Sequence, residues 1–209
     1  MTTPSKTIHS YEPRKGHGLA HDPIASIVGP RPIGWISSRS EDGQLNLAPY
    51  SFFNLFNYKP PIVAFSSVGF KDTIRNVQAT REFVVNLATR ALAEQVNLSS
   101  AAVSSDVNEF DLTGLSPVKS QIVAAPRVGE SPVNLECKVL DIQHLAGLDG
   151  KPVETWMVTG EVVAVHIDTE LLPEGSYDTT KAAPILRGGG PADYFEITQQ
   201  ALFKMYRPK

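Results

Sequence analysis

The sequence predicts a mainly β protein, an antiparallel β-barrel with a few short helices inserted between its strands. About six or seven short segments alternate apolar and polar residues, as strands do, and glycine, proline or Asp-Gly turns end them. The two or three helix-like segments do not alternate regularly with those strands. A doubly wound parallel sheet would require such alternation, so a barrel is favoured.

Length and composition predict one domain. The 209 residues can bury a sizeable core, and neither proline nor glycine is concentrated into a linker. The polar N-terminal stretch is expected to form an irregular arm, residues 1–18. Residues 19–209 are then one domain with a C-terminal extension.

Charge and cysteine content narrow the function classes. The net charge of −3 gives no broad basic surface for nucleic acid, and no apolar run of about 18 residues predicts a membrane span. The only cysteine, Cys137, excludes an internal disulfide and a cysteine-based metal site. We therefore expect a cytoplasmic protein that binds neither nucleic acid nor membrane.

The first strands form a predicted hairpin. Residues 33–38 alternate with a strand period, Asp42-Gly43 supplies the turn, and residues 45–49 return. A Pro-Pro step then opens PPIVAFSS, residues 60–67, a short apolar strand that ends in two hydroxyls.

The middle of the chain alternates short elements. Asp72 is expected to cap a helix over TIRNVQAT, because its carboxylate can accept the free N–H groups of the first turn. Residues 82–87 form a strand, and Thr89 can cap a helix that extends to about residue 103. Residues 105–131 are expected to be mostly loop, with a short strand near Ile122.

Two long strands follow, residues 132–145 and 155–168. The second is apolar on both faces, which predicts a strand buried on both sides. The last segment, ITQQALFKMY, has a helix-like pattern.

Hydroxyl and basic residues at strand ends form a candidate phosphate site. A phosphate needs N–H and O–H donors and a cation, and a helix N-terminus supplies free N–H groups. The alternative is a set of surface turns capped by hydroxyls. The candidate residues are Ser37, Ser38, Arg39, Ser66, Ser67, Lys71 and Thr73.

Two further segments could contact a ligand. In NLAPYSFF, residues 46–53, Pro49 interrupts the strand ladder and Ala48 is small enough to admit a flat ring, although the aromatic residues could simply fill the core. In LRGGGPADYF, residues 186–195, Arg187 could contact an anion from a lid, although the glycines could simply form a flexible loop.

No catalytic side chain or metal site is predicted. The five histidines lack the spacing of known metal motifs, and no GxSxG segment provides an acyl-transfer serine. Cys137 lies in mid-strand, where it is expected to fill the core.

Taken together, the chain resembles the flavin-reductase-like family. The resemblance rests on seven segments in their order along the chain: RPIGWISS, NLAPYSFFN, PPIVAFSS, KDTIRNV, EFVVNL, VNEFDLTGL and PILRGGGPADYF. The resemblance covers about residues 19–195. It implies an FMN-binding split antiparallel β-barrel and a homodimer with FMN at the subunit interface.

The resemblance also implies which residues bind the cofactor. The phosphate would lie against Ser37, Ser38, Arg39, Ser66, Ser67, Lys71 and Thr73, and the isoalloxazine ring against Ala48, Pro49, Tyr50 and Ser51. Asp72, between Lys71 and Thr73, is also assigned to the cofactor site. Arg187 could reach across the dimer. The activity implied is NAD(P)H-dependent reduction of FMN, serving for example a partner monooxygenase. One alternative is a non-enzymatic FMN-binding electron carrier or redox sensor. Another is an oxidoreductase that acts on a specific organic substrate and uses the C-terminal section as a lid.

Overall fold

The computed structural model describes residues 6–208, and this part of the chain contains twelve strands. Seven of them form one antiparallel sheet in the order β3-β2-β6-β9-β10-β5-β4. The strands are β1 (Arg31–Pro32), β2 (Gly34–Arg39), β3 (Leu45–Tyr50), β4 (Phe53–Tyr58), β5 (Pro61–Val68), β6 (Glu82–Leu87), β7 (Pro117–Val118), β8 (Arg127–Val128), β9 (Val133–Ala146), β10 (Pro152–Ile167), β11 (Ile185–Arg187) and β12 (Tyr194–Glu196).

The described part of the chain also contains five short α-helices, one before β1 and four between later strands. None of the helices described between residues 6 and 208 is long and apolar enough to cross a membrane. The helices are α1 (Ile24–Ile27), α2 (Asp72–Thr80), α3 (Ala93–Leu98), α4 (Glu109–Thr113) and α5 (Thr179–Ala182).

The main core lies between the curved sheet and α2. Successive side chains of a strand alternate between its two faces, so every second side chain points inward. Burial of these apolar side chains is the main contribution to the stability of the fold. The fully buried members include Ile36, Phe65, Ile74, Phe83 and Val158.

A second core covers the opposite face of β2 and β3. Trp35 and Leu47 point to this face, where Val96 of α3 and Phe110 of α4 pack against them. The indole N–H of Trp35 donates to Ser99 Oγ at 2.9 Å, so its one polar atom is satisfied. The alternation predicted for residues 33–38 therefore separates two cores.

The predicted hairpin is confirmed. Ser37 pairs with Leu47 and Arg39 with Leu45 across the β2–β3 ladder. Gly43 in the turn has a φ of 96°, the left-handed region that favours glycine.

Three predictions about the helices are wrong. Lys71, not Asp72, is the N-cap of α2, and Asp72 is the first helical residue. The segment after Thr89 is a 3-10 turn followed by α3, which ends at Leu98, and the last segment contains only the 3-10 turn Gln199–Ala201. Local pattern was a poor guide here because short helices depend on tertiary packing.

The loop predicted over residues 105–131 is also more ordered than expected. It contains α4, and its two short strands β7 and β8 pair with each other rather than forming a strand near Ile122. Asn108 caps α4 by accepting from the Phe110 N–H at 3.0 Å.

The two long strands β9 and β10 are confirmed, with ends shifted by up to three residues. Val158 and Val162 are buried as predicted, but Val165 on the other face is 53% exposed. The prediction that β10 is buried on both faces is therefore wrong at Val165 in the single chain.

Residues 6–18 contain no strand and only the 3-10 turn Pro13–Lys15. A small three-stranded sheet, β1-β11-β12, joins the C-terminal section to residues that precede β2. The division of the chain into an arm, residues 1–18, and one domain, residues 19–209, stays a prediction, and residues 1–5 lie outside the described part.

Candidate functional site

A cleft of about 540 Å³ lies between β3, the start of α2, the segment after α3, and α4. A volume of this size is typical of small-molecule sites. Six of the sequence-predicted residues line it: Ala48, Pro49, Tyr50, Lys71, Asp72 and Thr73.

One end of the cleft is the N-terminus of α2. The first N–H groups of a helix have no intrahelical acceptor, and no side chain caps this end. Lys71 and Thr73 line the cleft at this position, while Asp72 pairs with Arg75. Free N–H groups, a hydroxyl and an ammonium group together suit an anion.

The Tyr50 phenol is a buried polar group without a partner. Its side chain is 8% exposed, and its hydroxyl forms no hydrogen bond with any described residue. Burial raises the pKa of Tyr50, and the nearby Thr73 and Ser67 hydroxyls act to lower it. Neither of these two hydroxyls forms a hydrogen bond with the Tyr50 hydroxyl. A buried hydroxyl without a hydrogen-bond partner lowers the stability of the protein. Such a group is typical of a position that contacts a ligand.

A polar network supports the Thr73 hydroxyl from behind. Asn46 Nδ2 donates to Thr73 Oγ1 at 2.8 Å and to Ser38 Oγ at 3.3 Å. Asn76 Nδ2 also donates to Ser38 Oγ, at 3.2 Å. Ser38 therefore lies behind the cleft and orients residues that line it. Asn46, at the start of NLAPYSFF, was not predicted as a site residue.

Other sequence-predicted residues lie outside this cleft. Ser37 Oγ donates to the Pro126 carbonyl and accepts from Asn86 Nδ2 at 3.0 Å, on the opposite face of β2 from Ser38. Arg39 is exposed at the end of the hairpin. Ser67 Oγ is buried and donates to the Gly69 carbonyl at 2.9 Å.

Two predicted residues, Ser51 and Ser66, lie near Arg31. Ser66 lines a second, mostly apolar cleft of about 410 Å³ together with Arg31. The Ser51 carbonyl accepts from Arg31 Nε at 3.1 Å. The Arg31 guanidinium also binds the carbonyls of Val28 and Ala25, so it fastens α1 to the end of β3.

Arg187 is bonded within its own loop. Its guanidinium donates to the carbonyls of Gly190 and Asp193 at 2.7 and 2.8 Å and of Pro191 at 3.0 Å, and it lies over the Tyr194 ring. These contacts account for its position without an anion. Its assignment to the cofactor stays a prediction, as do the assignments of the other twelve residues.

Two groups of cleft residues were missed from sequence. The segment after α3 contributes small and hydroxyl side chains, and its run of serine and alanine was the available signal: Ser99, Ser100, Ala101, Ala102, Val103 and Ser105. Glu109 of α4 also lines the cleft and is only 7% exposed. No pattern in the sequence separates Glu109 from surface glutamates.

Comparison with known proteins agrees with this architecture. The family model described as "Flavin reductase like domain" matches residues 29–185. The chain belongs to this flavin reductase-like family, which confirms the resemblance seen in the sequence.

Solved structures confirm the fold class, a split antiparallel β-barrel. Nitrilotriacetate monooxygenase component B from Bacillus cereus has a TM-score of 0.87 at 27% identity, covering 96% of this chain and 100% of that one. The 2-nitrobenzoate 2-nitroreductase of Pseudomonas fluorescens has a TM-score of 0.77 at 30% identity, covering 89% and 91%. A Shewanella frigidimarina protein with a split barrel domain also has a TM-score of 0.77, at 26% identity, covering 88% and 90%.

Proposed function

We propose that this chain binds FMN in the cleft beside α2 and acts as an NAD(P)H-dependent flavin reductase. The observation that carries the proposal is the unpartnered Tyr50 hydroxyl, buried in a cleft that also contains an uncapped helix N-terminus with Lys71 and Thr73. Membership of the flavin reductase-like family supports it.

The phosphate end of the proposed site is the N-terminus of α2. The Thr73 hydroxyl, held by Asn46, and the free backbone N–H groups would donate to phosphate oxygens, and Lys71 would balance their charge. Ser38 fixes this arrangement through Asn46 and Asn76.

The ring end of the proposed site is β3. Ala48 and Pro49 line the cleft beside Tyr50. Ala48 is small enough to leave room for a flat ring, and Pro49 carries no N–H group. Bound FMN would supply the redox chemistry by accepting a hydride and passing electrons to a second acceptor. The chain's own contribution is to bind and orient the flavin and to exclude water.

The proposal includes a homodimer and a cytoplasmic location. The edge strand β4 exposes Leu55, Phe56 and Tyr58, and an uncovered apolar edge favours association. Burial of Cys137 away from oxidants and the absence of any other cysteine suit a reducing compartment. Because one relative is a monooxygenase component, a partner monooxygenase is the proposed user of the reduced flavin.

Binding tests the cofactor assignment. We expect Lys71→Met and Thr73→Val each to weaken FMN binding by about tenfold, because each removes one contact to a charged group. Riboflavin, which lacks the phosphate, should bind both variants as it binds the parent protein. Lys138→Met, at an exposed lysine on β9, is the matched control. Equal losses for FMN and riboflavin would contradict the phosphate assignment.

Turnover tests the activity. The FMN-loaded protein should lose its oxidised flavin absorbance when NADH or NADPH is added without oxygen, and it should turn over repeatedly with excess FMN. A flavin that binds tightly but is not reduced by either nucleotide would instead identify an electron carrier or redox sensor.

A further inference from the structure

Glu109 is a buried carboxylate that faces the proposed flavin cleft. Its side chain lines the cleft, and its Oε2 accepts from the Leu47 N–H of β3 at 3.0 Å. No lysine, arginine or histidine within residues 6–208 lies within ion-pair distance of it. Glu109 is therefore buried without a compensating cation.

A second buried carboxylate shows the contrast. Glu136 accepts from three backbone N–H groups and from His166 Nε2 at 2.6 Å, and although its burial acts to raise its pKa, these donors lower it to about 2. Glu109 has far fewer donors. Burial is the main cause that raises the pKa of Glu109, and Asp72 raises it further, while the bond from Leu47 opposes both.

The charged groups around Glu109 come from the start of α2. Lys71 before this helix and Asp72 and Arg75 within it line the same cleft. On β3, the only titratable neighbour is Tyr50, and the segment after α3 contributes only uncharged side chains to the cleft. Because Asp72 and Arg75 pair with each other, Lys71 is the one cleft cation left for a ligand.

We propose that Glu109 takes up a proton from solvent when an anionic flavin phosphate enters this cleft, so that the cleft holds its ligand without a second buried negative charge. This inference rests on the proposed function. Its physical reason is that a buried carboxylate with little compensation responds strongly to a new anion in the same low-dielectric cavity. The neutral carboxyl can still accept from the Leu47 N–H, so β3 keeps its position.

The sign of the pH dependence follows from linkage. Where Glu109 is ionised in both the free and the bound protein, affinity does not change with pH through this group, and its negative charge opposes the phosphate. As pH falls through the range between its pKa with FMN and its lower pKa without FMN, binding takes up a proton and affinity rises. Below both pKa values the dependence disappears again.

Proton uptake can be measured by titration calorimetry of FMN binding in two buffers of different ionisation enthalpy. The parent protein should take up more protons per FMN than Glu109→Gln, a variant that retains an acceptor for Leu47. At mildly alkaline pH the variant should bind FMN about three- to tenfold more tightly, since one pKa unit corresponds to tenfold in binding. The phosphate's own titration is common to both proteins and cancels in the difference.

Controls separate this inference from the proposed function. Glu170→Gln, at an exposed glutamate after β10, should behave as the parent. With riboflavin the difference between parent and Glu109→Gln should shrink, because the phosphate is absent. An infrared difference spectrum of the parent protein should show a protonated carboxyl appearing with FMN, independent of any variant's folding.

Equal proton uptake by parent and Glu109→Gln would overturn the inference while leaving FMN binding intact. An undiminished difference with riboflavin would overturn the role of the phosphate charge. Failure of the parent protein to bind FMN at all would instead contradict the proposed function.

Discussion

Glu136 is the residue that fastens the segment before β8 to the sheet. It lies fully buried on β9, and the N–H groups of Gln121, Ile122 and Val123 donate to it at 2.7, 2.6 and 3.1 Å. An ionised carboxylate with several charge-assisted hydrogen bonds stabilises the fold when all its donors are in place. This makes Glu136 a structural group, not a catalytic one.

We predict that Glu136→Gln lowers the free energy of unfolding by about 3 kcal/mol at neutral pH. This is the stabilisation that corresponds to lowering the pKa of the Glu136 carboxyl from 4.5 to about 2 on folding. Because the pKa is lowered in the folded state, the carboxylate's contribution is full above pH 4.5 and declines as pH falls towards 2. Urea unfolding of parent and variant at neutral and acidic pH measures this. A difference that does not narrow in acid would contradict the assignment.

Tyr50 gives the opposite kind of prediction. Its hydroxyl has no partner, so Tyr50→Phe should leave the free protein's stability unchanged or raise it by up to about 1 kcal/mol. The same change should weaken FMN binding about three- to tenfold if the hydroxyl meets the ligand. Thermal unfolding with and without FMN separates the two effects, and a variant that loses stability but keeps its affinity would show that the hydroxyl serves the fold.

At the scale of elements, β10 depends on Gly160. A Cβ at this position would lie 2.6 Å from the Phe83 ring and 3.3 Å from the Lys138 carbonyl, where the β9–β10 register shifts. Phe83 lies at the centre of the main core, with its ring 5.4 Å from that of Phe65. The bulge and the missing side chain together let the aromatic ring fill the barrel.

We expect Gly160→Ala to destabilise the protein by about 1–3 kcal/mol, the usual cost of overpacking a core. Adding Phe83→Leu should recover part of that loss, because the smaller side chain leaves room for the new methyl group. A double-mutant cycle by urea unfolding tests this. Strictly additive losses would show that the two positions do not interact.

For the whole molecule, the β4 edge of the main sheet is the feature with the clearest consequence. β4 pairs only with β5, and Phe56 and Tyr58 on it are 68% and 82% exposed. Apolar side chains on a free edge are protected in most proteins, either by charge or by a partner. The proposed homodimer would supply that partner.

The change Phe56→Glu should therefore weaken self-association without unfolding the barrel. Sedimentation or light scattering over a range of concentrations measures the dissociation, and circular dichroism checks the fold. Lys59→Glu, beside the same strand but not apolar, is the charge control. A parent protein that is monomeric at all concentrations would contradict the dimer.

The amino-acid sequence by itself determined the fold class, the β2–β3 hairpin, the two long strands and the segment that carries Lys71 and Thr73. Those features depend on local periodicity and turn chemistry, which a single chain displays directly. It also correctly placed Cys137 in the core, where burial raises its pKa and keeps it unreactive.

Only the tertiary structure decided which candidates meet. Ser37 and Ser38 are neighbours in sequence, yet strand alternation turns them to opposite faces of β2, and only Ser38 supports the cleft. Glu109 looks like any surface glutamate in the sequence, and only packing of α4 against β3 buries it. The local sequence pattern determines which face of its own strand a side chain lies on. The burial of that side chain and its hydrogen-bond partners depend on segments far apart in the chain.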